Sequence, residues 1–158
     1  MSSLAEVQFR AATPEEDHQI ADHFFQLWQD NEVFAESLRP DQRQVTLQFI
    51  QQARQQLAYQ AFVATVEHRV IGSAGGQLFA GLYPGVFADH FRKYGYIWGV
   101  YVEPTYRRRG IAKQLTHTVV DYLHSLGCTR VILHASPFGQ PVYASLGFTA
   151  GNEMRLEL

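Results

Sequence analysis

Three consecutive arginines, Arg107, Arg108 and Arg109, stand directly before Gly110-Ile111-Ala112-Lys113. Ahead of them an apolar run over 96–102 ends at Glu103-Pro104, and behind them a long helical pattern begins. A strand, a short basic loop and a helix start, in that order, make an anion site. The first backbone N–H groups of a helix have no acceptor within it and point outward from its end. Gly110 lets the backbone come close to an anion, and Ala112 leaves the first turn unobstructed. The guanidinium groups add positive charge and bidentate donors. The chemistry expected is a grip on a pyrophosphate. The competing reading is a solvated basic turn; the placing of Arg-Gly between strand and helix favours the cradle.

The elements that must position this loop follow from periodicity. Val7, Phe9 and Ala11 alternate as a first strand. Thr13-Pro14-Glu15-Glu16 reads as a helix start, with Thr as cap, Pro at the first helical position and Glu three after the cap. Ile20, Phe24, Leu27 and Trp28 form the face of that helix. A second helix starts near Pro40-Asp41, with Val45, Phe49, Ala53 and Leu57 spaced by four. Strands over 61–66 and 70–79 flank the short turn Glu67-His68-Arg69 as a hairpin. Gly72, Gly75 and Gly76 do not form a dinucleotide fingerprint, and their reading is a bulge or a close backbone approach. The 80–93 segment is irregular, a loop with room for a short helix. A strand over 96–102 and a helix over 108–126 follow. The helix stripe is Ile111, Leu115, Val119, Tyr122, Leu123 and Leu126, and Gly127 stops it. A strand over 129–135, a short helix over 141–146 ended by Gly147, and a last strand within 148–158, where Met154, Leu156 and Leu158 alternate, complete the order β-α-α-β-β-β-α-β-α-β. That alternation predicts an α/β layered domain.

The cradle segment resembles the acyl-CoA-binding motif of the GNAT superfamily of N-acetyltransferases, R/Q-x-x-G-x-G/A, with Arg107, Gly110 and Ala112 at its defined positions. The stretch from Ser136 to Phe148, SPFGQPVYASLGF, resembles the closing motif N-x-x-A-x-x-L-Y-x-x-x-G-F, matched at Tyr143, Gly147 and Phe148. The resemblance is close over about the last 60 residues, and before them lies in element order alone. It implies a GNAT-like fold over a single 1–158 domain: a mixed, mostly antiparallel sheet flanked by helices, the 96–102 strand splayed from 131–133 to admit acyl-CoA. It implies acetyl-CoA as cosubstrate and a primary amine, of a small molecule or protein, as acceptor. The main chain of Val100, Tyr101 and Val102 would then run beside the pantetheine arm. The amides of Arg108, Arg109, Gly110, Ile111, Ala112 and Lys113 would hold the pyrophosphate. Tyr143 would be the acid that protonates the leaving thiolate; read without the motif, it is a core aromatic on a short helix.

Two departures stand out. Ser136 replaces the motif's usual Asn, offering one hydroxyl in place of an amide. The Val131-Ile132-Leu133-His134 stretch lacks the Glu that some family members use as general base, so the base is open. His134 is one candidate, against a histidine hydrogen-bonded to a loop. Glu103 is another, against a loop carboxylate paired with Arg107 or Arg108. Asp89 and His90, in the aromatic-rich segment, and Glu32 and Glu36, between the first two helices, could shape the acceptor pocket. Phe79, Tyr83, Phe87, Phe91, Tyr94 and Tyr96 form either a wall over that pocket or a dimer contact.

Composition limits the rest. Lys and Arg number 13 against 15 Asp and Glu, a net charge of -2 that argues against a nucleic-acid partner. With 46% apolar and 13% aromatic residues the chain can bury a core, which excludes disorder. No apolar run approaches the roughly 18 residues of a membrane span. The stretch MSSLAEVQFR has no basic n-region and no apolar h-region, so no secretory leader is expected. A single cysteine, Cys128, excludes an internal disulfide framework and fits the cytoplasm. His117, Asp121 and His124 have metal-ligand spacing but share a solvated helix face, so no metal is expected. A homodimer is compatible with the sequence and not required by it. Three other functions compete: a non-catalytic acyl-CoA-binding module, an interaction domain of the same fold without CoA binding, and a transferase of another acyl group.

Overall fold

The computed structural model describes residues 5–81 and 83–158. Residues 1–4, part of the stretch read as lacking a leader, and residue 82, inside the irregular segment, lie outside the described residues. Strand β1 (Gln8–Ala11) leads into a 3₁₀ turn (Pro14–Glu16) and helix α1 (Asp17–Asp30). The start is the expected capping box: the Glu16 carboxylate accepts the Thr13 N–H at 2.9 Å. Arg10 holds the same carboxylate at 2.8 and 2.9 Å.

Helix α2 (Gln42–Gln56) follows. Its buried line is Thr46, Ile50 and Ala53, whereas Val45 and Phe49 are 37% and 46% exposed. Residues spaced strictly by four drift about 40° per step around a helix, so the 45-49-53-57 line spirals off the core face. Thr46 tolerates burial because its hydroxyl donates to the Gln42 carbonyl at 2.8 Å. Arg54 of α2 pairs with Asp17 of α1 at 2.6 Å.

Strands β2 (Gln60–Val66) and β3 (Arg69–Leu78) form the expected hairpin. Both turn residues, Glu67 and His68, have positive φ, at 48° and 67°, the conformation that matches the twist of the flanking strands. Strand β4 (Tyr94–Val102), helix α3 (Ile111–Ser125), strand β5 (Arg130–Ile132) and helix α4 (Gln140–Ser145) complete the elements. The sheet runs β1-β2-β3-β4-β5, with the first four strands antiparallel and β5 parallel to β4.

The sheet is the middle layer. On one face α3 buries Ile111, Leu115, Val119 and Leu123 against Ile71, Ala74, Ile97 and Val102. On the other, Ile20 of α1 and Ile50 and Ala53 of α2 meet Tyr59 and Ala61. The glycines read as close approaches are that: a Cβ on Gly76 would stand 2.4 Å from Val119 Cγ1, and one on Gly75 2.7 Å from the Tyr59 ring.

Four boundaries differ from expectation. No helix forms in 80–93 among the described residues. Helix α3 starts at Ile111, not at 108, because Arg108 and Gly110 hold left-handed φ values of 62° and 77°. Strand β5 ends at Ile132, short of 135. The last strand is absent: Met154, Leu156 and Leu158 are 94%, 84% and 116% exposed. A period-two pattern becomes a strand only beside a neighbour that supplies its hydrogen bonds. Among the described residues none runs alongside 148–158.

Candidate active site

The sheet opens between β4 and β5. Their pairing covers Tyr94↔Arg130, Gly95↔Val131 and Tyr96↔Ile132 and goes no further. From Ile97 to Val102, β4 has β3 on one side and, among the described residues, no strand on the other. Opposite Ala74, between the pairs Ser73↔Tyr101 and Gly75↔Trp98, β4 carries the extra residue of a bulge. Gly99 takes φ of 70° there. The splay expected between 96–102 and 131–133 is present, with Val100, Tyr101 and Val102 along its open edge.

The bulge sets which side chains face which layer. Gly95 and Ile97 face α3; a Cβ on Gly95 would stand 2.8 Å from Leu123 Cδ1. By alternation Tyr96 and Trp98 face α1 and α2. Trp98 there meets Phe24 and Phe49, with ring centroids 5.1 and 5.5 Å away. Beyond the bulge Tyr101 faces α1 again, 4.9 Å from the His23 ring.

Below the open edge lies the start of α3. The first helical bond runs from the Gln114 N–H to the Gly110 carbonyl at 3.0 Å. The N–H groups of Ile111, Ala112 and Lys113 therefore open the helix without a partner inside it. No side chain caps it. Among the described residues a Cβ on Gly110 would meet nothing within 4 Å, so the chain is open to close approach at that point. A cradle of backbone donors beneath an unfilled volume fits a pyrophosphate.

The arginines divide their work. Arg107 points away from the cradle: its Nε donates to the Val102 carbonyl at 2.7 Å and its Nη2 to Asp30 at 2.6 Å. Arg109 lies over the Tyr106 ring at 5.5 Å. Arg108 takes the left-handed conformation that turns the chain into the helix. Ile111 buries its side chain in the core, leaving its backbone to the site.

On the other wall, the Ser136 hydroxyl accepts the Gly139 N–H at 3.2 Å and shapes the turn before α4. Tyr143 of α4 packs over Gly139, where a Cβ would stand 2.9 Å from the ring, and lies 5.9 Å from the Phe148 ring. Burial pushes the Tyr143 phenol above its usual pKa. Among the described residues its hydroxyl bonds to no protein group.

Glu103 is not paired with Arg107 or Arg108. It holds Arg69 at 3.0 Å beside a shallow cleft at the hairpin end, lined also by Gln19, Asp22 and His23. His134 lies just past β5, where its Nδ1 is 2.8 Å from the Tyr96 hydroxyl and its Nε2 is 3.1 Å from Glu153. Sequence reasoning counted Tyr96 only as part of an aromatic wall and did not single out Glu153. Nothing local links positions 96, 134 and 153. The alternation along β4 was the one available signal, since it places Tyr96 on the face of Trp98. Glu32, at φ of 62°, lines a recess after α1 with Gln29, Val33 and Phe34. Glu36 lies in a 3₁₀ turn (Ala35–Ser37), and Asp89 and His90 are exposed in the 80–93 segment. On α3, His117 faces Asp121 at 3.4 Å on the solvated side.

An open β4–β5 edge and a glycine-started helix are the arrangement that the resemblance of the two motifs implies. The chain belongs to the acetyltransferase (GNAT) family, whose model matches residues 9–148. It is similar to a glucosamine 6-phosphate N-acetyltransferase of Trypanosoma brucei brucei, 36% identical over 91 residues. That match covers 57% of this chain and 58% of the relative, less than two thirds of its length. Among solved structures, a predicted acetyltransferase with acetyl-CoA from Clostridium acetobutylicum superposes with a TM-score of 0.81 at 23% identity, covering 97% of this chain and 96% of the other. A GCN5-related N-acetyltransferase from Ralstonia eutropha gives 0.80 at 22%, covering 97% and 99%. The family and the fold implied by the two sequence motifs are thereby shown.

Proposed function

We propose that the protein transfers the acetyl group of acetyl-CoA to a primary amine on a small molecule, with amino-sugar phosphates as the first acceptors to test. The observation that carries this reading is the open edge of β4 leading onto the unfilled, glycine-started turn of α3. The similarity to a glucosamine 6-phosphate N-acetyltransferase supports the acceptor class.

The backbone of Val100, Tyr101 and Val102 orients the pantetheine arm by strand-like pairing. The N–H groups from Arg108 to Lys113 hold the pyrophosphate. Bound there, acetyl-CoA supplies the thioester that an amine attacks. Arg107 keeps the loop in place by tying it to Asp30 and to the Val102 carbonyl. Tyr143 holds a proton at its hydroxyl, kept there by burial, for the sulfur that leaves. Of the two candidate bases, His134 is bonded to Tyr96, the last β4 residue paired with β5, whereas Glu103 is committed to Arg69, and the base is left open.

Two further parts belong to the proposal. The lone cysteine fits a cytoplasmic location. A second copy of the chain covers the 148–158 segment. Glu153 bonds to both His134 and Arg155, and Met154, Leu156 and Leu158 form an exposed apolar row. Among the described residues no strand pairs with the outer edge of β5, and two copies related by a twofold axis cover one another's rows and edges.

The test is a thermal shift with acetyl-CoA, CoA, ATP and NAD, then thiol release with D-glucosamine 6-phosphate and a panel of amines. A ligand at 100 times its Kd adds about 2.7 kcal/mol, a rise of several degrees. A rise with acetyl-CoA but not with ATP or NAD, followed by turnover, is expected. Binding without turnover on any amine indicates a non-catalytic module instead.

A further inference from the structure

We propose that Tyr96 is the group that takes the proton from the attacking amine, relaying its own phenolic proton to His134, with Glu153 as the positioning residue behind the imidazole. This rests on the acetyl-transfer reading and supplies the base that reading leaves open.

Position comes first. Tyr96 is the last β4 residue paired with β5, so its side chain stands where the opening begins. It projects toward the α1 and α2 layer, the face opposite α3. Its ring is half-buried against Phe79, with centroids 6.0 Å apart. The phenol occupies His134 Nδ1, so that nitrogen receives a proton through the phenol.

The hydrogen bonds then dictate the direction of proton flow. An ionised carboxylate only accepts, so the 3.1 Å contact to Glu153 requires the proton of a neutral His134 to sit on Nε2. Nδ1 is then a bare lone pair, 2.8 Å from Tyr96, and the phenol must donate to it. This is the logic of a hydroxyl, an imidazole and a carboxylate in series, with a phenol in the hydroxyl's place. The same contact to His134, with Arg155 second, holds the Glu153 carboxyl below its usual pKa and keeps it charged. Burial, with Glu153 nearby, pushes the Tyr96 phenol up, so it rests protonated.

In the step, the nitrogen–carbon bond forms and the carbon–sulfur bond breaks. The amine proton moves to the Tyr96 oxygen as the phenolic proton moves to His134 Nδ1, and Tyr143 gives its proton to the sulfur. The imidazolium rests against Glu153. His134 is exposed, so it returns its proton to water, which also reprotonates Tyr143. Among the described residues, the titratable groups bonded to His134 are Tyr96 from β4 and Glu153 from the segment after α4, and Arg155 bonds in turn to Glu153.

Two measurements test this. Nitrogen chemical shifts of the His134 ring, assigned by their loss in His134→Gln, report its tautomer in the ligand-free protein. The Nε2–H form is expected, and the Nδ1–H form overturns the relay. Thiol release with acetyl-CoA and D-glucosamine 6-phosphate, over a range of pH, reports the chemistry. Tyr96→Phe should lower kcat by about 100-fold with the KM for acetyl-CoA within about twofold. Wild-type kcat in that variant overturns the proposal. Glu153→Gln puts an amide, which can donate as well as accept, beside Nε2, so the His134 ring should populate both tautomers and kcat should fall while the KM for acetyl-CoA stays within about twofold. A residue with only a structural role would lower activity and leave the tautomer unchanged. If the wild type carries the Nε2–H tautomer and yet transfers acetyl to no amine, the acetyl-transfer reading fails, and the three residues are a structural pairing.

Discussion

The Arg107 guanidinium lies 2.6 Å from the Asp30 carboxylate, joining the end of α1 to the loop that starts α3 across 77 residues of chain. The arginine of the acyl-CoA-binding motif is thus a strut of its loop. Its Nε on the Val102 carbonyl, at 2.7 Å, fixes the same loop to the end of β4.

Because the Arg107–Asp30 pair is partly exposed, at 40% and 39%, solvent screens it. Asp30→Ala should cost about 0.5 kcal/mol in urea unfolding. Arg107→Ala also removes the Val102 bond and the contact with the Tyr101 ring at 5.4 Å, and should cost about 1–2 kcal/mol. Equal losses would show that the bond to Val102 contributes nothing.

Gly110 tests the cradle. Its φ of 77° strains any L-residue, although a Cβ there meets no protein atom. Gly110→Ala should lower stability by about 1 kcal/mol. It should raise the acetyl-CoA Kd by tenfold or more, an effect of about 1.4 kcal/mol, because the new methyl enters the ligand's space. Unchanged affinity by calorimetry would move the pyrophosphate off this turn.

Gly76 tests the helix–sheet contact. Gly76→Ala puts a methyl 2.4 Å from Val119 Cγ1. Overpacking of this kind should cost about 1–3 kcal/mol, and Val119→Ala in the same chain should recover part of it. Losses that simply add in the double variant would mean that the two positions do not touch.

Tyr143→Phe should lower kcat roughly 10- to 100-fold while the acetyl-CoA Kd stays within about twofold. The sign of the pH dependence follows from burial. Burial disfavours the phenolate, so the folded pKa lies above the usual 10.0, and the acid form persists as pH rises through that value. Any basic limb of kcat from Tyr143 should therefore lie above pH 10. A limb near pH 8 that vanishes in Tyr143→Phe would contradict the burial seen here.

Leu156→Arg should convert a dimer to a monomer, because it places a charge in the exposed apolar row. Light scattering should read twice the 18.0 kDa chain for the wild type and one chain for the variant. A monomeric wild type at micromolar concentration would leave the row without the partner proposed.

Much of the architecture was legible from local pattern. The stripe on α3, the capping box at Thr13, the Glu67–His68 turn and the Gly127 stop each depend on residues within a turn or two of one another. The basic loop between β4 and α3 was legible for the same reason, although the left-handed Arg108 and Gly110 delay the helix to Ile111. The α2 face was misread because a four-residue step drifts around the helix, and only the packing partner selects 46, 50 and 53. The last strand was misread because alternation sets which way side chains point, not whether a neighbour exists.

By itself, then, the order of residues determined most of the elements, their turns, and the place of the basic loop between β4 and α3. Tertiary structure decided the partners: Arg107 with Asp30, Glu103 with Arg69, and Tyr96 with His134 and Glu153. The physical reason is range. Backbone sterics and periodicity act over a few residues, whereas a side-chain contact between elements exists only once the sheet has brought distant segments to the same edge.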